Sequence, residues 1–325
     1  MELPVAPKIC VPIDRYFYGP NKGPFPGPKS VLLDQAQAFA IKHPLYLRAY
    51  NQLKFLGENP KGIRAQELQM LKRVVDSGLD VTFHCGSGLE DHLFVKKTVD
   101  GKKKIIEDRG FNEVFVKQRL MRDLNAVKFA SFSLAPSSRN TIVNADTGEW
   151  CGDRETPLHE HLWMQFFKEK LRQIRAEYVG LLGFENTPLH PGYGKRDVQN
   201  FIANPGFITR ALLASESLYL LLDIAHAKVS SRQFGHYFAE EYLRSLPLTR
   251  VMEIHISGTE TRGGEVFERH AKPEEEDLEL LSWVIRSGAE PRYITIEDYA
   301  ADEAGLSIDI DEIKDFLANQ GAPRS

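Results

Sequence analysis

The chain has 325 residues, enough to bury a sizeable core as one large α/β barrel or as two smaller domains. An apolar fraction of 42%, a charged fraction of 26% and a net charge of −4 describe an ordinary globular protein and argue against broad nucleic-acid or membrane binding. No apolar run approaches membrane-spanning length, "MELPVAPKICVPID" lacks the basic-then-apolar order of a signal peptide, and three scattered cysteines (Cys10, Cys85, Cys151) suggest reduced thiols and a cytoplasmic home.

In chain order, short β-rich apolar runs alternate with helical patterns. Strands are expected at "KICVPI" (8–13) and "LYLRAY" (45–50), then a helix at "RAQELQMLKRVVDSG", then a strand at "DVTFHC" (80–85). "VKKTVDGKKKIIEDRG" (95–110) reads as a solvated hairpin turning at Gly101. "AVKFASFSL" (126–134) is the expected fourth strand, and a long polar loop follows at about 135–157, of a kind that often forms a lid or binding loop. The helix "EHLWMQFFKEKLRQIRAEY" leads into "YVGLLGFE" (178–185), and "LYLLLDI" (218–224) and "RVMEIHIS" (250–257) come after it. "PEEEDLELLSWVIRSG" opens on Pro273 and three acids that suit a helix N-terminus, closes at Gly288, and leads to "RYITIE" (292–297). Nearly continuous apolar strands suit a parallel sheet covered on both faces, and eight strand–helix repeats predict one (β/α)8 TIM barrel over 1–325.

Parallel barrels gather their chemistry at the C-terminal ends of the strands. Five of the expected strands end there in a carboxylate or imidazole: His84, Glu185, Asp223, His255 and Glu297. Desolvating several carboxylates together is costly unless a cation neutralises them, so the set reads as a metal site and not as separate capping residues. Asp223 and His226 form Asp-x-x-His, which brings both back to one pocket. Glu268 and His270 in "FERHAKP" are two apart, so in extended chain they point the same way. Carboxylates and imidazoles without thiolates suit Fe, Mn or Zn. His92, His159, His161 and His190 fall in polar or helix-start segments and read as surface histidines; Cys85 alternates away from His84. Asn186 and Tyr193 follow Glu185 on the active rim, where they are candidates for substrate contact, as is Ser133 on the expected fourth strand.

The ordered set His84, Glu185, Asp223-x-x-His226, His255, Glu268-x-His270 and Glu297 resembles the xylose isomerase-like barrels, and most of all their trinuclear members of the endonuclease IV type. It fills every ligand position of that pattern but one, a fourth-strand histidine, where "FASFSLA" offers Ser133. The runs "FHCGSGL", "GFENTP", "LLDIAHAKVSS", "LPLTRVMEIHISG" and "ITIEDY" are similar to those of the multinuclear non-haem iron-dependent oxidases over about 80–300. The chain departs from that family at Ser133, at His226 in place of an asparagine, at Phe234 and Thr259 in place of histidines, and at Glu268 in place of an aspartate.

The resemblance implies a di- or tri-iron oxidase that uses O2 to modify a peptide cysteine, or a small thiol or amino-acid-like substrate. A small partner protein would present the substrate, and neither nucleic acid nor membrane would take part. It also implies an allocation of ligands: one metal on Glu185, Asp223, His255 and Glu297, a second on His226, Glu268 and His270, and a weaker third on His84 and a bridging Glu185, assisted by Ser133. The rivals are a Mn- or Mg-dependent sugar isomerase or epimerase using only the four-ligand core, a zinc phosphodiester hydrolase, and a non-catalytic binding barrel.

Overall fold

The structure, a computed structural model, describes residues 6–12, 38–39, 46–49, 81–85, 94–99, 102–108, 142–145, 151–152, 157–189, 199–298 and 300–319. The strands are β1 (Lys8–Pro12), β2 (Tyr46–Ala49), β3 (Val81–Cys85), β4 (Phe94–Val99), β5 (Lys102–Asp108), β6 (Ile142–Ala145) and β7 (Cys151–Gly152). They continue with β8 (Leu181–Glu185), β9 (Gln199–Asn200), β10 (Leu218–Asp223), β11 (Val251–Ile256), β12 (Gly258–Arg262), β13 (Glu265–Ala271) and β14 (Tyr293–Ile296). The helices are α1 (Pro157–Glu177), α2 (Pro205–Leu212), α3 (Ile224–Gln233), α4 (Ala239–Leu243), α5 (Glu275–Arg286) and α6 (Glu303–Asn319).

Eight parallel strands close a barrel in the order β1-β14-β11-β10-β8-β6-β3-β2. The expected (β/α)8 architecture is therefore present. Strand alternation divides each strand between two environments. Leu220, Leu222, Ile254, Ile256, Ile294 and Ile296 join the main apolar core. Residues of the other parity, Asp223, Glu253, His255, Thr295 and Glu297, line the barrel interior. The Thr82 hydroxyl donates to Glu253 Oε1 at 3.2 Å. Their strands β3 and β11 lie diametrically opposite in the ring, so this contact crosses the barrel axis.

The helical layer follows from apolar spacing. Trp163, Phe166, Phe167, Leu171 and Ile174 of α1 are buried, at the three-four intervals of one helix face. Trp163 stacks on Phe167 with ring centroids 4.6 Å apart and meets Phe207 of α2 edge-on at 4.9 Å. Phe167 in turn meets Phe184 of β8 at 6.3 Å, which fixes the helix against the strand that carries Glu185. On α5, Asp277 accepts from the Glu274 backbone N–H at 2.9 Å, the acidic first turn that the sequence leads one to expect.

The fourth barrel strand is a correction. The sequence places it at 126–134 and a loop at about 135–157, but the position between β3 and β8 is taken by Ile142–Ala145, inside the expected loop. "IVNA" has two β-branched apolar residues and then turns polar, a weaker signal than "AVKFASFSL". Asn144, not Ser133, is the residue in register with His84. The run 126–134, with Ser133, lies outside the described residues, as does the helix expected near 64–78. The hairpin expected at 95–110 is present as antiparallel β4 and β5. No helix among the described residues is long and apolar enough to cross a membrane.

Candidate metal centre

Adjacent barrel strands deliver the central candidate ligands. Glu185 ends β8, Asp223 ends β10, His255 lies one residue from the end of β11, and Glu297 follows β14 directly. In the ladder Asp223 pairs with His255, and His255 with Thr295. All four side chains are buried, Asp223 and His255 fully.

Asp-x-x-His works through a helix cap. Asp223 is the N-cap of α3, in extended backbone, and its Oδ1 accepts the His226 N–H at 2.7 Å. The chain thus passes from strand to helix without a loop, and His226 returns to the pocket on the first helical turn. Asn186 completes the corner. Its side-chain amide donates to the Asp223 carbonyl at 3.0 Å, and its Oδ1 accepts the Asp223 N–H at 2.8 Å. Its backbone carbonyl lies 2.7 Å from His226 Nδ1. A carbonyl only accepts, so Nδ1 carries a hydrogen and Nε2 is the nitrogen that faces the pocket.

Glu268 and His270 come from the β12–β13 hairpin, beyond the barrel wall. They share the pocket by a route other than plain extended chain. Gly258 pairs with Ala271 and Thr259 with Glu268, so Arg269 and His270 bulge out of the ladder. His270 has φ of 46°, in the left-handed region that few side chains adopt. A Cβ on Gly258 would lie 2.4 Å from the Lys272 carbonyl oxygen, so only glycine fits this hairpin base.

Among the described residues, three groups of side chains converge closely enough to hold a cation: Glu185–Asp223–His226, Asp223–His255–Glu297 and Glu268–His270–Glu297. Asp223 belongs to two of them, and Glu297 also belongs to two. His255 Nδ1 is 3.0 Å from Glu185 Oε1, 3.5 Å from Glu297 Oε1 and 3.8 Å from Asp223 Oδ2. His226 Nε2 is 3.1 Å from Glu268 Oε2 and 3.8 Å from Asp223 Oδ2. His270 Nδ1 is 3.1 Å from Glu268 Oε1 and 3.5 Å from Glu297 Oε2. The residues fit metal ions on two counts. The donors are hard or borderline oxygens and imidazole nitrogens. Asp223 Oδ2 and Glu268 Oε1 are buried and accept no hydrogen bond among the described residues. Asp223 is the sharper case, because Oδ1 serves the helix and Oδ2 is left aimed at the pocket.

The electrostatics show the strain of this arrangement. Burial pushes the Asp223 carboxyl up to about 7, with Glu268, Glu185 and Glu297 adding to the shift and His226 opposing it. Burial opposes charge on His226, but Asp223, Glu268 and Glu185 outweigh it and hold the ring well above the usual imidazole range. His270 is likewise raised to about 9, burial losing to Glu268 and Glu297. Burial opposes charge on Glu268 too, yet His226 and His270 keep its carboxyl below its ordinary value. The protein groups alone thus draw in positive charge, which is what clustered carboxylates require.

Of the residues expected at the site, Glu185, Asp223, His226, His255, Glu268, His270 and Glu297 are brought together. His84 lies on β3 near the rim end, and only its backbone is described. Asn186, expected at the substrate, is fully buried with both amide atoms bonded to the Asp223 backbone. His161 is exposed on α1, an ordinary surface histidine; His92, His190 and Tyr193 lie outside the described residues. Glu253 was not anticipated. It is fully buried on β11 and accepts from Thr295 Oγ1 at 2.7 Å, and its Oε1 is 3.5 Å from His255 Nε2. Its position two before His255, on the same strand face, was the available signal.

Residues 165–317 match the family model of the RiPP precursor modification enzymes MbnB/TglH/ChrH. No curated protein matches the chain in sequence. Among solved structures, a xylose isomerase-like TIM barrel protein from Mycobacterium smegmatis in complex with magnesium aligns with a TM-score of 0.58 at 11% identity, over 99% of this chain and 100% of that one. D-Allulose 3-epimerase from Methylomonas sp. aligns at 0.57 and 12% identity, over 98% and 100%. Endonuclease IV from Thermus thermophilus aligns at 0.50 and 13% identity, over 89% and 94%. Identities this low speak to the fold alone. The chain shares the fold of the xylose isomerase-like TIM barrels, and its residues 165–317 match the family model of the MbnB/TglH/ChrH RiPP precursor modification enzymes.

Proposed function

We propose that this protein is an iron-dependent oxidase that uses O2 to modify a cysteine of a ribosomally made peptide, or a small thiol or amino-acid-like substrate. The observation that carries the reading is the overlap of three ligand groups through Asp223 and Glu297. A sugar isomerase needs one divalent ion on the four-ligand core and leaves His226, Glu268 and His270 without a task. Two to three ions account for all of them. The family match over residues 165–317 supports a peptide substrate. Carboxylate and imidazole donors suit iron, and equally admit manganese or zinc. In this reading the whole chain acts as one barrel domain in the cytoplasm, with a small partner protein presenting the peptide.

When bound, iron would supply the redox chemistry with O2. The protein's own groups do the rest. The Asn186 carbonyl holds the Nδ1 hydrogen of His226, so that imidazole offers Nε2 and cannot turn away. Full burial of Asp223 and His255 keeps water from the deep end of the pocket, which strengthens the charge interactions there. Exposure rises outward, to 11% of the Glu268 side chain and 28% of the His270 side chain, so substrate reaches the centre from the hairpin side.

The test is to load the purified protein with Fe(II) without oxygen, add a cysteine-containing peptide, and admit O2. Oxygen uptake coupled to a mass change on the peptide is the expected result. An iron-loaded protein that leaves every thiol peptide and small thiol unchanged would contradict it. Activity with one equivalent of Mn(II) on a sugar would favour the isomerase instead.

A further inference from the structure

We infer that Glu253 is a positioning residue that sets His255 as a ligand through Nδ1; the inference rests on the metal reading of the site. Glu253 and His255 are two apart on β11, so both face the barrel interior. Glu253 Oε1 is pinned on the barrel axis by two hydroxyl donors. Thr295 Oγ1 donates at 2.7 Å from the neighbouring strand, and Thr82 Oγ1 at 3.2 Å from the strand opposite. Oε1 is therefore an acceptor, open to a hydrogen from a further group that faces it. The His255 ring faces it, with Nε2 3.5 Å away, an ion-pair distance longer than the two hydroxyl bonds, and the ring needs to hold its hydrogen on Nε2 once Nδ1 binds a metal.

A neutral imidazole has one N–H and one lone pair. If Nε2 holds the hydrogen toward Glu253, the lone pair is on Nδ1. That nitrogen faces Glu185 Oε1, Glu297 Oε1 and Asp223 Oδ2, at 3.0, 3.5 and 3.8 Å. The neighbouring histidine is set the other way, because the Asn186 carbonyl takes Nδ1 of His226 and leaves Nε2 for the pocket. Two ligand imidazoles of opposite tautomer are thus each fixed by a different acceptor. A purely structural residue at the barrel axis would need size, but not an oxygen turned toward the far nitrogen of a ligand histidine.

The experiment uses the full-length protein with Zn(II) as a diamagnetic probe, and compares wild type, Glu253→Met and Glu253→Gln. Met keeps the size and removes the acceptor; Gln keeps an acceptor. Zn(II) affinity is measured by chelator competition, and the His255 tautomer by nitrogen NMR of ring-labelled histidine. Glu253→Met should weaken Zn(II) binding by roughly 10–100-fold, the usual cost of losing a group that orients a ligand. It should also abolish the single Nε2-protonated form of His255, while Glu253→Gln restores both. Wild-type affinity in Glu253→Met, or lowered affinity with an unchanged tautomer, overturns the inference. If Glu253→Met does not fold, the wild-type spectrum decides, since coordination of His255 through Nε2 would overturn it and coordination through Nδ1 would support it. A wild-type protein that binds no Zn(II) or Fe(II) at all would instead defeat the metal reading beneath it.

Discussion

Asp223 caps a helix with one carboxylate oxygen and, in the proposed reading, offers the other to a metal, and the two tasks can be separated by substitution. Asparagine caps helices as well as aspartate does, so Asp223→Asn should keep the start of α3. It also removes a buried carboxyl whose pKa is pushed up to about 7. Thermal unfolding of the metal-stripped variant should therefore occur at or above the wild-type temperature. Metal affinity should fall by more than the roughly 10–100-fold expected of groups that merely orient a ligand. A metal-stripped Asp223→Asn protein markedly less stable than wild type would mean that the carboxylate itself anchors the fold. Away from the site, Asp309 is buried on α6 and raised to about 6 by burial and by Asp298, with Lys272 opposing. A carboxyl whose folded pKa exceeds its ordinary 3.8 binds its proton more tightly in the folded state, so stability falls as pH rises from about 4 through about 6. Asp309→Asn should raise the unfolding temperature at pH 7, and the gain should vanish below pH 4; thermal scans of both proteins across that range check the sign.

At the scale of elements, the site joins two kinds of support. The barrel strands give Glu185, Asp223, His255 and Glu297 rigid positions, whereas Glu268 and His270 depend on a hairpin bent by a bulge and a left-handed residue. Gly258 is where that bend is most sensitive, since an added Cβ would meet the Lys272 carbonyl oxygen at 2.4 Å. Gly258→Ala should shift the hairpin while leaving the barrel folded. Metal content measured by plasma emission should drop by about one equivalent, because losing two ligands opens one site and leaves the strand-borne ligands in place. Unchanged stoichiometry in a folded Gly258→Ala protein would show that Glu268 and His270 are not needed to hold an ion.

Across the whole molecule, the ligand strands were legible because parallel strands buried on both faces are nearly continuous in apolar residues, so Asp223 and Glu297 at their ends stand out. The helices α1 and α5 were legible from spacing and from acids at the α5 N-terminus. Three features were not. "IVNA" is too short and too soon polar to outrank "AVKFASFSL" as the fourth strand. Glu253 lies inside an apolar run and passes for an interruption until its cross-barrel partner Thr82 is known. The bulge at His270 depends on how Gly258 and Lys272 approach, which no local pattern encodes. The central claim, a barrel rim that holds several metal ions, is tested most directly by counting metals in protein purified without oxygen from iron-rich medium. At least two equivalents per chain, mainly iron and with an absorbance that changes on exposure to O2, is the expected result; the three overlapping ligand groups lead to it. A folded protein that purifies without metal, and takes up none when Fe(II) is added anaerobically, would contradict it.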